Sequence, residues 1–210
     1  MRANLTDITL VVDRSGSMHS IRDDAQGGIN ALIHEQSTQE GDALITLIQF
    51  DDEYEVLHCG TPVNDVAEYQ LVARGGTALL DAVGRGVNET GARIREMPEA
   101  ERPGLVVFVV MTDGQENSSR EFSQAKIREM VQHQQDVYGW QFTFLGADQD
   151  AFTEAGNIGI SRASAADFSR ENVGQAYAGT ASKISRMRRQ ARGGEHVVNE
   201  YTDEEREAME

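Results

Sequence analysis

The chain has 210 residues, with 19 Lys and Arg against 35 Asp and Glu, a formal net charge of −16. At 39% hydrophobic residues a packed core is within reach, which excludes general disorder, and the length fits one domain with a tail. The acidic balance opposes long-range attraction to nucleic acid or anionic membranes, and the longest apolar run, Leu105 to Met111, is far short of the roughly 18 residues of a membrane span.

Ile8 to Val12 reads as the first buried strand, short, β-branched and bounded by polar residues. A helix follows over Ser20 to Gln39, with Ile21, Ala25, Ile29, Leu32 and Ile33 on one face. Gly27 and Gly28 weaken it by about 1 kcal/mol each relative to Ala, a cost expected where a helix lies close against a sheet. Ala43 to Phe50 is the second strand and Leu79 to Met97 the second helix. Pro98 and Pro103 punctuate the loop before the most apolar strand, Leu105 to Met111. A helix over Glu121 to Val137 precedes a strand in which Trp140, Phe142 and Phe144 alternate onto one face of the core. Beyond Gly146 come a short helix at Ala151 to Gly156, an edge strand at Ser164 to Phe168, and a long helix at Glu171 to Arg192.

Strands alternating with helices predict an α/β fold, doubly wound, with a mostly parallel central sheet flanked by helices on both faces. The predicted domain is residues 1–192, followed by an acidic C-terminal tail, 193–210, with seven acids and one Arg. Val173, Tyr177, Ala181, Ile184, Met187 and Ala191 form the docking face of the last helix. Lys183, Arg186, Arg188, Arg189 and Arg192 are expected on its opposite, solvated face, partly matched by the acidic tail. Cys59 is the only cysteine, which excludes an internal disulfide and a cysteine metal site. The opening MRANLTDITL carries no export signal, so the expected setting is cytoplasmic.

The chemistry concentrates at strand ends. Asp13-Arg14-Ser15-Gly16-Ser17-Met18 follows the first strand, where open parallel sheets gather ligands. One carboxylate and two hydroxyls at every second residue suit a hard divalent cation, although Asp and Ser equally serve as helix N-caps. Arg74-Gly75-Gly76-Thr77 opens the second helix and delivers a further hydroxyl, and Met111-Thr112-Asp113-Gly114 ends the most apolar strand with a second carboxylate. Separately these are a cap and a turn residue; together they place three hydroxyls and two carboxylates beside one another.

This order, Asp-x-Ser-x-Ser, then a Thr at a helix-opening loop, then Thr-Asp-Gly, resembles the von Willebrand factor type A domain over roughly Thr6 to Arg192. The resemblance is to members of an intracellular bacterial or phage type and implies an intact metal-ion-dependent adhesion site. Ser15 and Ser17 would then bind the ion directly, Asp13 and Asp113 directly or through water, and Thr77 when ligand is bound. The implied cofactor is Mg2+, with Mn2+ or Ca2+ as alternatives. The implied partner is a protein offering Asp or Glu to the open coordination position, with no nucleic acid and no membrane.

Asp23 and Asp24 come too late in the chain for the neighbouring site of integrin-type domains. Arg14 reads as a surface Arg, Glu116 and Asn117 as solvated loop residues, and Asp148 and Asp150 as caps of the helix near Ala151. His19 and His34 lack a third nitrogen ligand at metal spacing, so no zinc centre is expected. The expected function is a non-enzymatic, metal-dependent protein-binding module. Two alternatives remain: a Mg2+-dependent phosphoryl-transfer enzyme using Asp13, and a structural or assembly subunit. Against the enzyme, Ser15 stands where a second Asp is wanted, and no Lys neighbours Thr77 or Asp113.

Overall fold

A computed structural model describes residues 1–147 and 151–209. Its order is β1 (Arg2–Asp13), a 3-10 turn (Gly16–Ile21), α1 (Arg22–Thr38), β2 (Asp42–Phe50), β3 (Tyr54–Pro62), α2 (Leu79–Glu96) and β4 (Pro103–Thr112). Then follow α3 (Gln124–Tyr138), β5 (Gln141–Ala147), α4 (Ala151–Asn157), β6 (Ala165–Phe168), α5 (Val173–Arg192) and α6 (Asp203–Glu207). The sheet runs β3-β2-β1-β4-β5-β6, parallel throughout except for β3, which pairs antiparallel with β2. This is the expected doubly wound α/β fold.

The long apolar runs follow from burial on both faces of the sheet. In β4, Val107, Val109 and Met111 pack with α1 and α5, whereas Val106, Phe108 and Val110 pack with α2, α3 and α4. Trp140, Phe142 and Phe144 join the second cluster, with Phe108 and Phe142 ring centres 5.2 Å apart. The Asp148 and Asp150 caps expected at α4 lie outside the described residues.

Three expectations need correction. Strand β3 gave no sequence signal: as an edge strand it leaves most of its side chains half-buried or exposed. Gly28 makes room for the neighbouring helix rather than for the sheet, because a Cβ there would lie 2.7 Å from the Tyr177 ring of α5, while one at Gly27 would meet nothing. The solvated basic face of α5 holds only in part: Arg189 and Arg192 are exposed as expected, whereas Arg186 is half-buried and two others are covered. Lys183 and Arg188 are buried, and Arg188 donates to the Gln36 and Gly41 carbonyls at 2.7 and 3.1 Å.

The segment after Gly194 covers Lys183 and Arg186. Asn199 donates to the Phe142 carbonyl at 2.7 Å, the Tyr201 amide donates to the Ala163 carbonyl at 3.1 Å, and Arg186 pairs with Glu205 at 2.7 Å. Tyr201 and Met209 are buried, so this segment covers the β6 side of the sheet and closes over α5. Among the described residues no helix is long and apolar enough to cross a membrane.

Candidate functional site

The strand order reverses between β1 and β4, and the crevice beyond their carboxyl ends is where such a sheet binds ligands. Asp13 ends β1, and Asp113 follows the last residue of β4. The sheet itself therefore sets the two carboxylates side by side.

Asp13 is fully buried and held at both oxygens: Oδ1 accepts the Ser15 amide and Oδ2 accepts the Thr112 hydroxyl, each at 2.6 Å. Ser15 Oγ lies 3.0 Å from Ser17 Oγ, and Ser17 Oγ donates to Asp113 Oδ1 at 2.6 Å. Thr77 enters from the third side. A Cβ built on Gly114 would lie 2.9 Å from Thr77 Oγ1, 3.3 Å from Ser17 Oγ and 3.5 Å from Asp13 Oδ2. All five residues singled out in the sequence thus meet around one point, with Ser17 exposed and the other four buried. Among the described residues no three His, Cys, Asp or Glu side chains form a metal cluster, so any cation here depends on the hydroxyls.

Burial pushes the Asp13 carboxyl up to about 6, opposed by the Thr112 and Ser15 hydrogen bonds and reinforced by the nearby Asp113 charge. Gathering two carboxylates beyond one sheet edge is unfavourable unless a cation compensates. The donor set of three neutral hydroxyls and two carboxylates has the oxygen chemistry of Mg2+ or Mn2+, and Gly114 keeps a side chain from crowding the oxygens of Thr77, Ser17 and Asp13. The residues fit the group.

The surrounding loops fix Thr77 through contacts absent from the sequence reading. Gly75 has φ +70°, and a side chain there would also strike Asp52. The Gly76 amide donates to Asp52 Oδ2 at 2.9 Å, and the Thr77 amide donates to Asn117 Oδ1 at 2.9 Å. Glu116 is half-buried and accepts the amides of Leu80, Ser118 and Ser119 at 2.7–2.9 Å, so it is a structural staple rather than a solvated loop residue, whereas Asn117 is exposed as expected. Arg14 is likewise no surface residue: it is buried and pairs with Asp51 at 3.0 Å and Glu55 at 2.8 Å. Arg74 reaches the same Asp51 at 2.7 Å, joining the first and second loops. The only sequence signal for Asp51 was its place just past β2, at the same edge as Asp13.

Arg170, in the loop between β6 and α5, was also missed. Its Nη1 donates to Ser20 Oγ at 2.6 Å, and its Nη2 lies 3.9 Å from Asp113 Oδ2. Asp23, Asp24, His19 and His34 are exposed, outside the point where the five residues meet.

No family model and no curated protein matches the chain. Solved structures do. Proximal thread matrix protein 1 from the mussel byssus aligns with TM-score 0.60 and 14% identity, over 86% of this chain and 46% of that one. A von Willebrand factor type A protein from Catenulispora acidiphila gives 0.57 and 13%, over 86% and 43%. The vWF domain of the pilus tip protein Mfa5 from Porphyromonas gingivalis gives 0.55 and 12%, over 85% and 94%. The chain spans less than half the length of the first two. One mussel protein structure carries a zinc-occupied MIDAS motif, at TM-score 0.58 and 15% identity, over 86% of this chain and 46% of that one. At these identities the likeness is one of fold: the chain has the fold of von Willebrand factor type A domains.

Proposed function

We propose that this protein is a cytoplasmic, non-enzymatic module that captures an acidic side chain of a partner protein through a divalent cation, Mg2+ or Mn2+. The convergence of Thr77 Oγ1, Ser17 Oγ and Asp13 Oδ2 within 3.5 Å of one point beside Gly114 carries the proposal. The zinc-occupied motif of the mussel protein, on the same fold, supports it. When bound, the ion supplies an electrophilic position for a carboxylate oxygen. Ser15 and Ser17 would hold it without cancelling its charge, Asp13 and Asp113 would anchor it, and Thr77 would join as the partner's carboxylate enters. Asp13 suits anchoring better than nucleophilic attack, since both its oxygens already accept hydrogen bonds at 2.6 Å. An exposed free thiol at Cys59 fits a reducing compartment.

The test is melting in EDTA and in millimolar Mn2+, combined with cation-dependent retention of lysate proteins that EDTA releases. A cation present at about 100 times its Kd stabilises by about 2.7 kcal/mol. Asp13→Ala is expected to lose both the thermal shift and retention, whereas Thr77→Ala keeps much of the shift and loses retention. The absence of a shift with Mg2+, Mn2+ or Ca2+ in the parent protein would sink the proposal. Turnover of a generic phosphate ester that Asp13→Ala abolishes would favour the phosphoryl-transfer enzyme instead.

A further inference from the structure

We infer that Arg170 is a built-in cationic competitor at this site: it balances Asp113 when no divalent ion is bound and must be displaced for one to bind with full affinity. The inference rests on the metal-binding reading above. It starts from the position of the side chain. Arg170 comes from the loop before α5, remote in sequence from all three site loops, yet its guanidinium bridges two of their neighbourhoods. One nitrogen donates to Ser20 in the 3-10 turn behind Ser17, and the other lies 3.9 Å from Asp113 Oδ2. The Asp113 side chain is fully buried while that of Arg170 is 42% exposed, so the guanidinium approaches the carboxylate from the solvent side. A cation or a partner's carboxylate would arrive from that side too.

The loop that carries Arg170 is tied to the C-terminal segment at Ser169 and closed by a turn within itself. The Ser169 amide donates to the Met209 carbonyl at 3.4 Å, and the Asn172 amide donates to the Ser169 carbonyl at 3.0 Å. Met209 is itself buried against α5, where Gly179 leaves room for it. The C-terminal segment therefore helps place this loop, and the Ser20 hydrogen bond keeps the guanidinium near Asp113. A monovalent guanidinium offsets one of the two anionic charges. A divalent ion bound there would offset both, so it would win, but with an affinity reduced by the charge it has to push away.

The experiment is calorimetric titration of Mn2+, with melting temperatures in EDTA and in Mn2+, for the parent, Arg170→Gln and Arg170→Lys. Arg170→Gln is expected to bind Mn2+ about fivefold more tightly at low ionic strength, the scale of a partly exposed ion pair, with the gain shrinking as salt rises. Its melting temperature should fall in EDTA and recover in Mn2+, while Arg170→Lys stays near the parent on both readouts. A purely structural Arg would lower both melting temperatures alike and leave the titration unchanged. Equal or weaker Mn2+ binding by Arg170→Gln, with the parent binding normally, overturns the competitor and leaves the metal site standing. Failure of parent and variants alike to bind Mn2+ overturns both.

Discussion

The loop edge around Asp13 and the C-terminal cover around Lys183 are both buried and both charged. At the loop edge, the sheet topology forces two carboxylates together, and burial pushes Asp13 up to about 6. In the cover, the buried basic groups meet partners from other elements. Arg188 spends its nitrogens on backbone carbonyls of α1 and of the turn before β2, Arg186 pairs with Glu205, and Lys183 lies 3.7 Å from the Tyr201 ring centre. Polar burial that closes on itself fastens one element to another. Polar burial that leaves like charges together at a solvent-facing mouth holds a place for something else.

If the cover is truly core, breaking it gives the largest effect. Met187 is fully buried in the cluster shared by α1, α5 and the sheet. Met187→Asp places an unpaired charge there and is expected to cost about 3–5 kcal/mol, read as a fall in the urea midpoint with little change in slope. A variant that unfolds like the parent would mean that α5 is not anchored through this face, and the comparison would fail.

The site side is probed by filling its cradle. Gly114→Ala adds a methyl group 2.9 Å from Thr77 Oγ1 and 3.3 Å from Ser17 Oγ, and overpacking of this kind costs about 1–3 kcal/mol. The fold survives, because the clash is with two side-chain oxygens rather than with backbone. The expected signature is a modest loss of stability in EDTA and loss of the Mn2+ thermal shift. A full Mn2+ shift in this variant would place the cation elsewhere.

What was legible in the sequence follows the same division. Strands buried on both faces announced themselves, as in the unbroken run of β4, and the motif residues were readable because they stand just past strand ends or, for Thr77, in the loop that opens α2. The edge strand β3, with Glu55, His58 and Cys59 among its residues, offers no apolar period. The buried charges of α5 were misplaced for a different reason. Helical periodicity locates one apolar face but says nothing of a second covering element, and the acidic, loop-like stretch after Gly194 did not suggest that Tyr201 and Met209 fold back as core. Arg14, Glu116 and Arg170 were out of reach likewise, since no local pattern shows which distant loop a long polar side chain will meet.

Lys183 gives the finest test of the distinction, because its buried ammonium meets a carbonyl and an aromatic ring rather than a carboxylate. Its ammonium donates to the Ser164 carbonyl at 3.3 Å and faces the Tyr201 ring. Burial lowers it well below the ordinary lysine value, with Arg186 and Arg206 adding to the depression and Glu205 opposing it. In the unfolded chain the lysine keeps its ordinary value of 10.5. Between the depressed value and 10.5 the unfolded state therefore holds more protons, so this residue's contribution to stability rises with pH across that window and is lost as pH falls through the depressed value. Lys183→Met keeps the chain length, removes the charge, and is expected to stabilise the protein by about 1 kcal/mol at pH 7. That gain should narrow as pH approaches 10, measured as urea midpoints across the range. A variant less stable than the parent at every pH would show that the ring and carbonyl contacts outweigh desolvation, at about 0.5–2 kcal/mol for the cation on the aromatic face. The cover would then depend on its charge as a fastening, and Lys183 would join Arg186 and Arg188 as a fully balanced group.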